Sequence, residues 1–209
     1  MRATFAACAM LTLLLASCAL TPKDMGQAYM FSLSPAKTVE MSQTGTRLTV
    51  ELPTTSPELD THRIALIRGR GIRDYYAGAR WADFLPVMAQ DSIIKTLDGT
   101  GLFKAVVASQ TGLAADMSLK LEIRDFQAEY SKDGAAPIVR VQLVASLVNR
   151  SDRNVISSFH AGVSSSQAAN DSLPAIHAAF NAAFLAAQKQ IVIKLIQTLM
   201  DHQSLKEEK

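Results

Sequence analysis

Between Met117 and Val163 apolar and polar residues alternate almost without a break, and that period of two constrains the fold more than any other feature. Met117, Leu119, Leu121 and Ile123 share one side, while Ser118, Lys120, Glu122 and Arg124 take the other. From Asp125 the phase slips by one residue, so that Phe126, Ala128 and Tyr130 carry the apolar side. A slip of this kind inside a strand marks a bulge or a bend. Ser131 to Pro137, with Asp133-Gly134, turns the chain. The alternation then resumes through Val139, Val141, Leu143, Ala145 and Leu147. A polar hairpin loop, Asn149 to Asn154, leads into Val155, Ser157, Phe159, Ala161 and Val163. Three such strands in succession predict an antiparallel meander with one face turned to the core.

Something must cover that face, and the sequence supplies a helix. Ser172-Leu173-Pro174 offers a hydroxyl cap and a proline in the first turn, where its missing N–H is not needed. Ile176, Phe180, Phe184, Ala187, Ile191 and Leu195 then recur at three- and four-residue spacing, and Val192, Ile196 and Leu199 widen the stripe. Upstream, Tyr29–Leu33, Arg47–Leu52 and Arg63–Ile67 read as strands. Ala36–Thr46 and Thr54–Asp60 read as loops. After Arg68-Gly69-Arg70-Gly71, the aromatic and basic residues Tyr75 to Trp81 read as a turn leading to a helix over Ala82–Leu97. Phe84, Val87, Ile94 and Leu97 form that helix's imperfect apolar stripe. Gly99 to Phe103 closes the segment and 103–107 returns as a strand, so His62 to Phe103 has the plan of a β-α-β unit. A chain of 209 residues has room for one domain. The expected class is α/β (α+β): a single domain with a mixed β-sheet, an antiparallel meander and two main helices packed on it.

The N-terminus stands apart from this domain. Arg2 gives a positive start and Phe5–Ala16 an apolar run, shorter than the roughly 20 residues a bilayer span needs, which fits a secretory signal. Leu15-Ala16-Ser17-Cys18 resembles the lipobox of bacterial lipoproteins: small residues before the cut, and a thiol to accept a diacylglyceryl group. The boundaries that follow are a lipoprotein signal peptide over 1–17, a lipidated N-terminus and linker over 18–28, the folded domain over 29–201 and a flexible tail over 202–209. With Cys8 removed and Cys18 acylated, the mature domain has no thiol for a disulfide. Its basic and acidic residues nearly balance, so acyl chains rather than a polybasic patch would hold it to a membrane. Ala19 follows the cysteine in place of the Asp that resembles an inner-membrane retention signal, which points to the outer membrane, facing the periplasm.

Catalytic chemistry finds little support. There is no Gly-x-Ser-x-Gly elbow, and His62, His160, His177 and His202 lack the spacing of a metal pair. Glu122 and Asp125 flank a strand bend without a marked pocket. Arg68-Gly69-Arg70-Gly71 is not followed directly by a helix with Lys-Ser/Thr, so it is no phosphate loop. A formal net charge of +2 sets nucleic acid aside. No cofactor and no metal are expected. The remaining candidates are Tyr75, Tyr76, Arg80 and Trp81, residue types enriched at binding hot spots. The alternative is that Trp81 plugs the core and the tyrosine hydroxyls satisfy loop backbone.

Taken in order, these pieces resemble the ABC-type transport auxiliary lipoprotein family, which includes a paraquat-inducible branch and lipoproteins associated with Mce/Mla-type transporters. The pieces are the lipobox at Cys18, Pro57-Glu58-Leu59-Asp60 before Arg63-Ile64-Ala65, and Tyr75-Tyr76 before Ala79-Arg80-Trp81. Leu85-Pro86, Gly101-Leu102-Phe103, the meander and the Ala-rich last helix complete the set. The resemblance covers nearly all of the mature chain, and Phe84 departs from it where a helix-starting Pro or small residue is expected. It implies a non-enzymatic, outer-membrane-anchored lipoprotein. Its partners would be an Mce-type substrate-binding protein and an inner-membrane ABC permease and ATPase, which together move lipid or another hydrophobic molecule. A homo-oligomer is compatible with this role. A structural envelope lipoprotein without transport, or a cell-envelope hydrolase, are the competing readings.

Overall fold

The structure, a computed structural model, describes residues 28–69, 71–131 and 135–207, and for 162–165 and 202–207 the backbone alone. The signal peptide, Cys18, nearly all of the linker and the Asp133-Gly134 turn tip lie outside the described residues. In chain order the elements are β1 (Tyr29–Phe31), β2 (Arg47–Val50), β3 (Thr54–Thr55), β4 (Arg63–Arg68), β5 (Ile72–Trp81) and α1 (Leu85–Asp98). They continue with β6 (Ala105–Ala108), β7 (Met117–Tyr130), β8 (Ile138–Asn149), β9 (Val155–Gln167) and α2 (Leu173–Glu207).

The alternating stretch forms the axis of the sheet. β7 pairs along its whole length with β8, which pairs with β9, both antiparallel, as the meander requires. Its opposite edge is shared end to end by three parallel strands: β2 against Met117–Leu119, β3 against Glu122–Ile123, and β4 against Gln127–Tyr130. From β2 the sheet extends to β6, and from β4 to β5 and then β1. The result is one mixed sheet, nine-stranded among the described residues. The phase slip is a bulge, since the β7–β8 register shifts between Ile123 and Asp125. Leu119, Leu121 and Ile123 before it and Phe126 and Ala128 after it are all buried. A second shift, between Leu147 and Val148, turns Val155 outward, where it is 61 % exposed instead of joining the core face.

The segment His62–Phe103 differs from the expected β-α-β unit. Tyr75–Trp81 is not a turn but the second half of β5, antiparallel to β4. Arg63 pairs with Arg80 and Ala65 with Tyr75, so one residue of β4 faces four of β5. Gly78, at φ +72°, makes this bulge possible, because a side chain there would be strained. β4 and β6 run in the same direction through β7 and β2, so an extra strand is inserted into an otherwise parallel crossover. α1 begins at Leu85 with Pro86 in its first turn. Its buried face carries Leu85, Met88, Ala89, Ile93 and Leu97 together with the polar Gln90, Ser92 and Thr96, and Phe84 and Val87 are exposed.

α2 lies on β8 and β9. All six residues of its expected stripe, Ile176 to Leu195, are buried. Among the described helices it alone is long and apolar enough to cross a membrane, but the burial of that stripe is that of a core helix. Each fully buried Phe or Leu contributes about 1.5–3 kcal/mol. The helix continues to Glu207, into the stretch expected to fray. Residues 32–46, without regular structure, run as a strap from β1 past α2 and α1 to β2.

Candidate functional site

The four residues singled out by composition separate into three environments. Trp81 is 1 % exposed and belongs to the core. Its indole stands edge-on to Phe126 at 5.8 Å and to Phe180 at 5.3 Å, and Phe126 stacks on Phe180 at 5.3 Å. These rings tie β5, β7 and α2 together, and such pairs add about 0.5–1.5 kcal/mol beyond their burial. Trp81 is therefore corrected from a binding candidate to a packing residue, because alternation in β5 points it inward.

Tyr75 is half-buried, with the Arg63 guanidinium 3.8 Å from its ring centroid and its hydroxyl donating to the Glu58 carbonyl at 3.1 Å. Arg73 lies 3.7 Å from the Glu58 carboxylate. Tyr76 donates to the Tyr130 hydroxyl at 3.0 Å, and Tyr130 to Asp171 at 2.6 Å. Burial, then the bond to Tyr130, raises the Tyr76 phenol far above its ordinary value; burial, then Asp171, raises Tyr130. Both stay neutral hydrogen-bonding groups across the physiological range rather than bases. Arg80 is exposed and makes no ion pair among the described residues. Tyr75 is thus braced by Arg63 and Glu58, with Arg73 beside the same carboxylate, while Arg80 lies opposite Arg63 in the β4–β5 register. Among the described residues no group of three or more His, Cys, Asp or Glu could hold a metal.

The strap builds a second feature that sequence reasoning missed. At its start His177 stacks on Phe31 at 4.2 Å, its Nε2 lies 2.9 Å from the Ser32 carbonyl oxygen, and the Ser34 N–H donates to Asn181. Buried Gln188 accepts from the Ala36 N–H at 3.2 Å and donates to the Ser34 carbonyl at 3.0 Å. Its amide oxygen also meets the Thr96 and Ser92 hydroxyls of α1. Beyond Ala36 a groove of about 780 Å³ opens between the strap and the second half of α2. Val39, Met41, Val192, Ile193, Ile196 and Met200 give it an apolar lining. The only sequence signal for it was the widening of the α2 stripe at Val192 and Ile196.

Comparison with known proteins follows the same outline. A crystal structure of a Xanthomonas campestris protein from the DUF330 family superposes with a TM-score of 0.71 at 23 % identity, over 83 % of this chain and 99 % of that one. A crystal structure described as a homolog of neuraminyllactose-binding hemagglutinin from Helicobacter pylori gives 0.51 at 13 % identity, over 86 % and 100 %. At these identities the likeness concerns the fold. No curated protein sequence matches. Residues 29–192 match the ABC-type transport auxiliary lipoprotein component, from the first strand to well into the last helix, and the chain belongs to that family.

Proposed function

We propose that this protein is an outer-membrane-anchored lipoprotein, acylated at Cys18 and facing the periplasm, that serves an Mce/Mla-type ABC transport system. The system would move lipid or another hydrophobic molecule between the membranes. The observation that carries the reading is the family match over 29–192, which implies association with an ABC transport system. The lipobox ending at Cys18 agrees with it. The domain acts by docking: its exposed cation Arg80, opposite the Arg63 that braces Tyr75, suits recognition of an acidic or carbonyl-rich surface. The partner is an Mce-type substrate-binding protein working with an inner-membrane permease and ATPase.

The test is capture of the full-length protein with its neighbours after cross-linking in intact cells. An Mce-type protein should be recovered, and Arg80→Glu with Tyr75→Ala should reduce that recovery several-fold while the fold is retained. Recovery of no transport component removes the proposal. Separately, Cys18→Ser should move the protein from the membrane to the soluble fraction.

A further inference from the structure

The groove beside α2 has a construction that the docking role does not explain. The strap is pinned at Ala36 by Thr96 and Gln188, then again where the Met41 N–H donates to the Thr100 carbonyl and Thr44 bonds to the Leu102 carbonyl, both at 2.8 Å. Between these pins Lys37 to Glu40 make no hydrogen bond to the rest of the described chain. They form an arch over the groove, with Val39 84 % exposed at its crest. Facing the arch, Ile193 is 53 % and Met200 65 % exposed. Apolar side chains from two separate segments line open space and are left largely exposed to water. A contiguous exposed apolar surface of this kind marks a place that something occupies.

Size and charge narrow the occupant. A volume of about 780 Å³ falls within the about 300–1,000 Å³ usual for small-ligand sites. Lys37 and Lys189 stand among the lining residues, neither makes an ion pair among the described residues, and they outnumber the single carboxylate, Glu40. We propose that the groove binds one amphiphile, its acyl chain along Val192, Ile193, Ile196 and Met200 and its anionic headgroup met by Lys37 and Lys189. The shared chemistry of a phospholipid and a free fatty acid satisfies this description. As a station for transported cargo the site deepens the transport reading and rests on it.

The experiment places a photoreactive phenylalanine analogue at Ile193 of the full-length protein in its native membrane. Adducts are identified by mass on the tryptic peptide that carries the analogue, which for Ile193 begins after Lys189 in the parent and after Arg153 once Lys189 is replaced. The control carries the same analogue at Val155, which is somewhat more exposed and lies on β9, outside the groove lining. A phospholipid mass or a fatty-acid mass at Ile193, several-fold above Val155, supports the site and tells the two sources apart. Lys37→Glu with Lys189→Glu should then reduce the adduct several-fold without changing the melting temperature, since both side chains are on the surface. A protein adduct at Ile193, no adduct, or equal lipid adducts at both positions overturns the proposal. Partner capture on the same samples separates the two readings. Capture without a lipid adduct removes the groove site and leaves the transport role. A lipid adduct without capture does the reverse.

Discussion

The two halves of α2 are similar in apolar character and differ in what becomes of it. In the first half, Leu173 to Gln188, the helix buries Ile176, Ala179, Phe180, Ala183, Phe184 and Ala187. The flank beside them is closed by the strap, through His177, Asn181 and Gln188. In the second half Ile191, Leu195 and Leu199 bury on the sheet, while Val192 and Ile196 are only partly covered and Ile193 and Met200 stay exposed. The helix itself does not make this difference. Past Ala36 the strap changes partner, from α2 to the Thr100–Leu102 turn after α1. Hydrophobicity states what a helix face can bury, and the segment beside it decides whether it does. The first half is structural for that reason, and the second keeps part of its apolar face exposed, which is where the amphiphile is proposed to lie.

The sharpest way to break this contrast is to empty the core side. Trp81→Ala leaves a cavity against Phe126 and Phe180 and should cost about 3–5 kcal/mol in chemical denaturation. A loss below about 1 kcal/mol would mean that the aromatic cluster does not hold β5 to α2. Next in size is the pin between the halves. Gln188→Ala leaves the Ser34 carbonyl without its donor and deprives the Ala36 N–H of one of two acceptors, which should cost about 1–3 kcal/mol. Amide exchange at Ala36 should accelerate with it. Unchanged exchange would show that Thr96 alone fixes the strap. On the groove side Ile193→Ala should cost well under about 1 kcal/mol, because the side chain is already half in water. A larger cost would place Ile193 in the core and erase the distinction.

What the sequence made legible depended on whether the cause was local. The period of two in β7 and β8 and the slip at Asp125 needed no distant information, and they located the central strand and its bulge. The α2 stripe was equally local. Tyr75–Trp81 was not, because a glycine that permits a positive φ serves a turn and a strand bulge alike, and only pairing with β4 distinguishes them. The α1 stripe misled because its buried face is partly polar: Gln90 donates to the Val50 carbonyl and Thr96 meets Gln188, partners far away in the chain. Of the candidate residues, Tyr75 and Arg80 reach the surface of β5, Tyr76 turns into a hydrogen-bonded chain with Tyr130, and Trp81 goes to the core. The groove was hidden because it belongs to no element. It exists where an irregular strap is lifted off a helix by bonds to a third segment.

The smallest expected effect concerns the end of that strap. Where it enters β2, the Arg47 guanidinium donates to Asp116 at 2.7 Å, and the Arg47 N–H donates to the same carboxylate at 2.9 Å. The side-chain bond from Arg47, then the backbone bond, lowers the Asp116 carboxyl to about 2. A carboxylate with a depressed folded value contributes stability that is complete above its ordinary value, near 4, and is lost as pH falls toward 2. Asp116→Asn should therefore flatten the decline in unfolding midpoint over that window and leave the neutral-pH midpoint slightly lower. Both side chains are 45 % exposed, so salt should weaken the effect further. Glu129, lowered chiefly by its bond to Arg140 at the far end of β7, titrates in the same direction and remains in the variant. The local reading comes from amide protection at Thr44, beside the groove, taken relative to the intrinsic exchange rate at each pH, which should fall in acid in the parent and be somewhat lower already at neutral pH in Asp116→Asn. Exchange at Ala36, on the closed side, should not follow it. If both amides respond together, the strap is one cooperative piece, and the groove side has no independence to put to use.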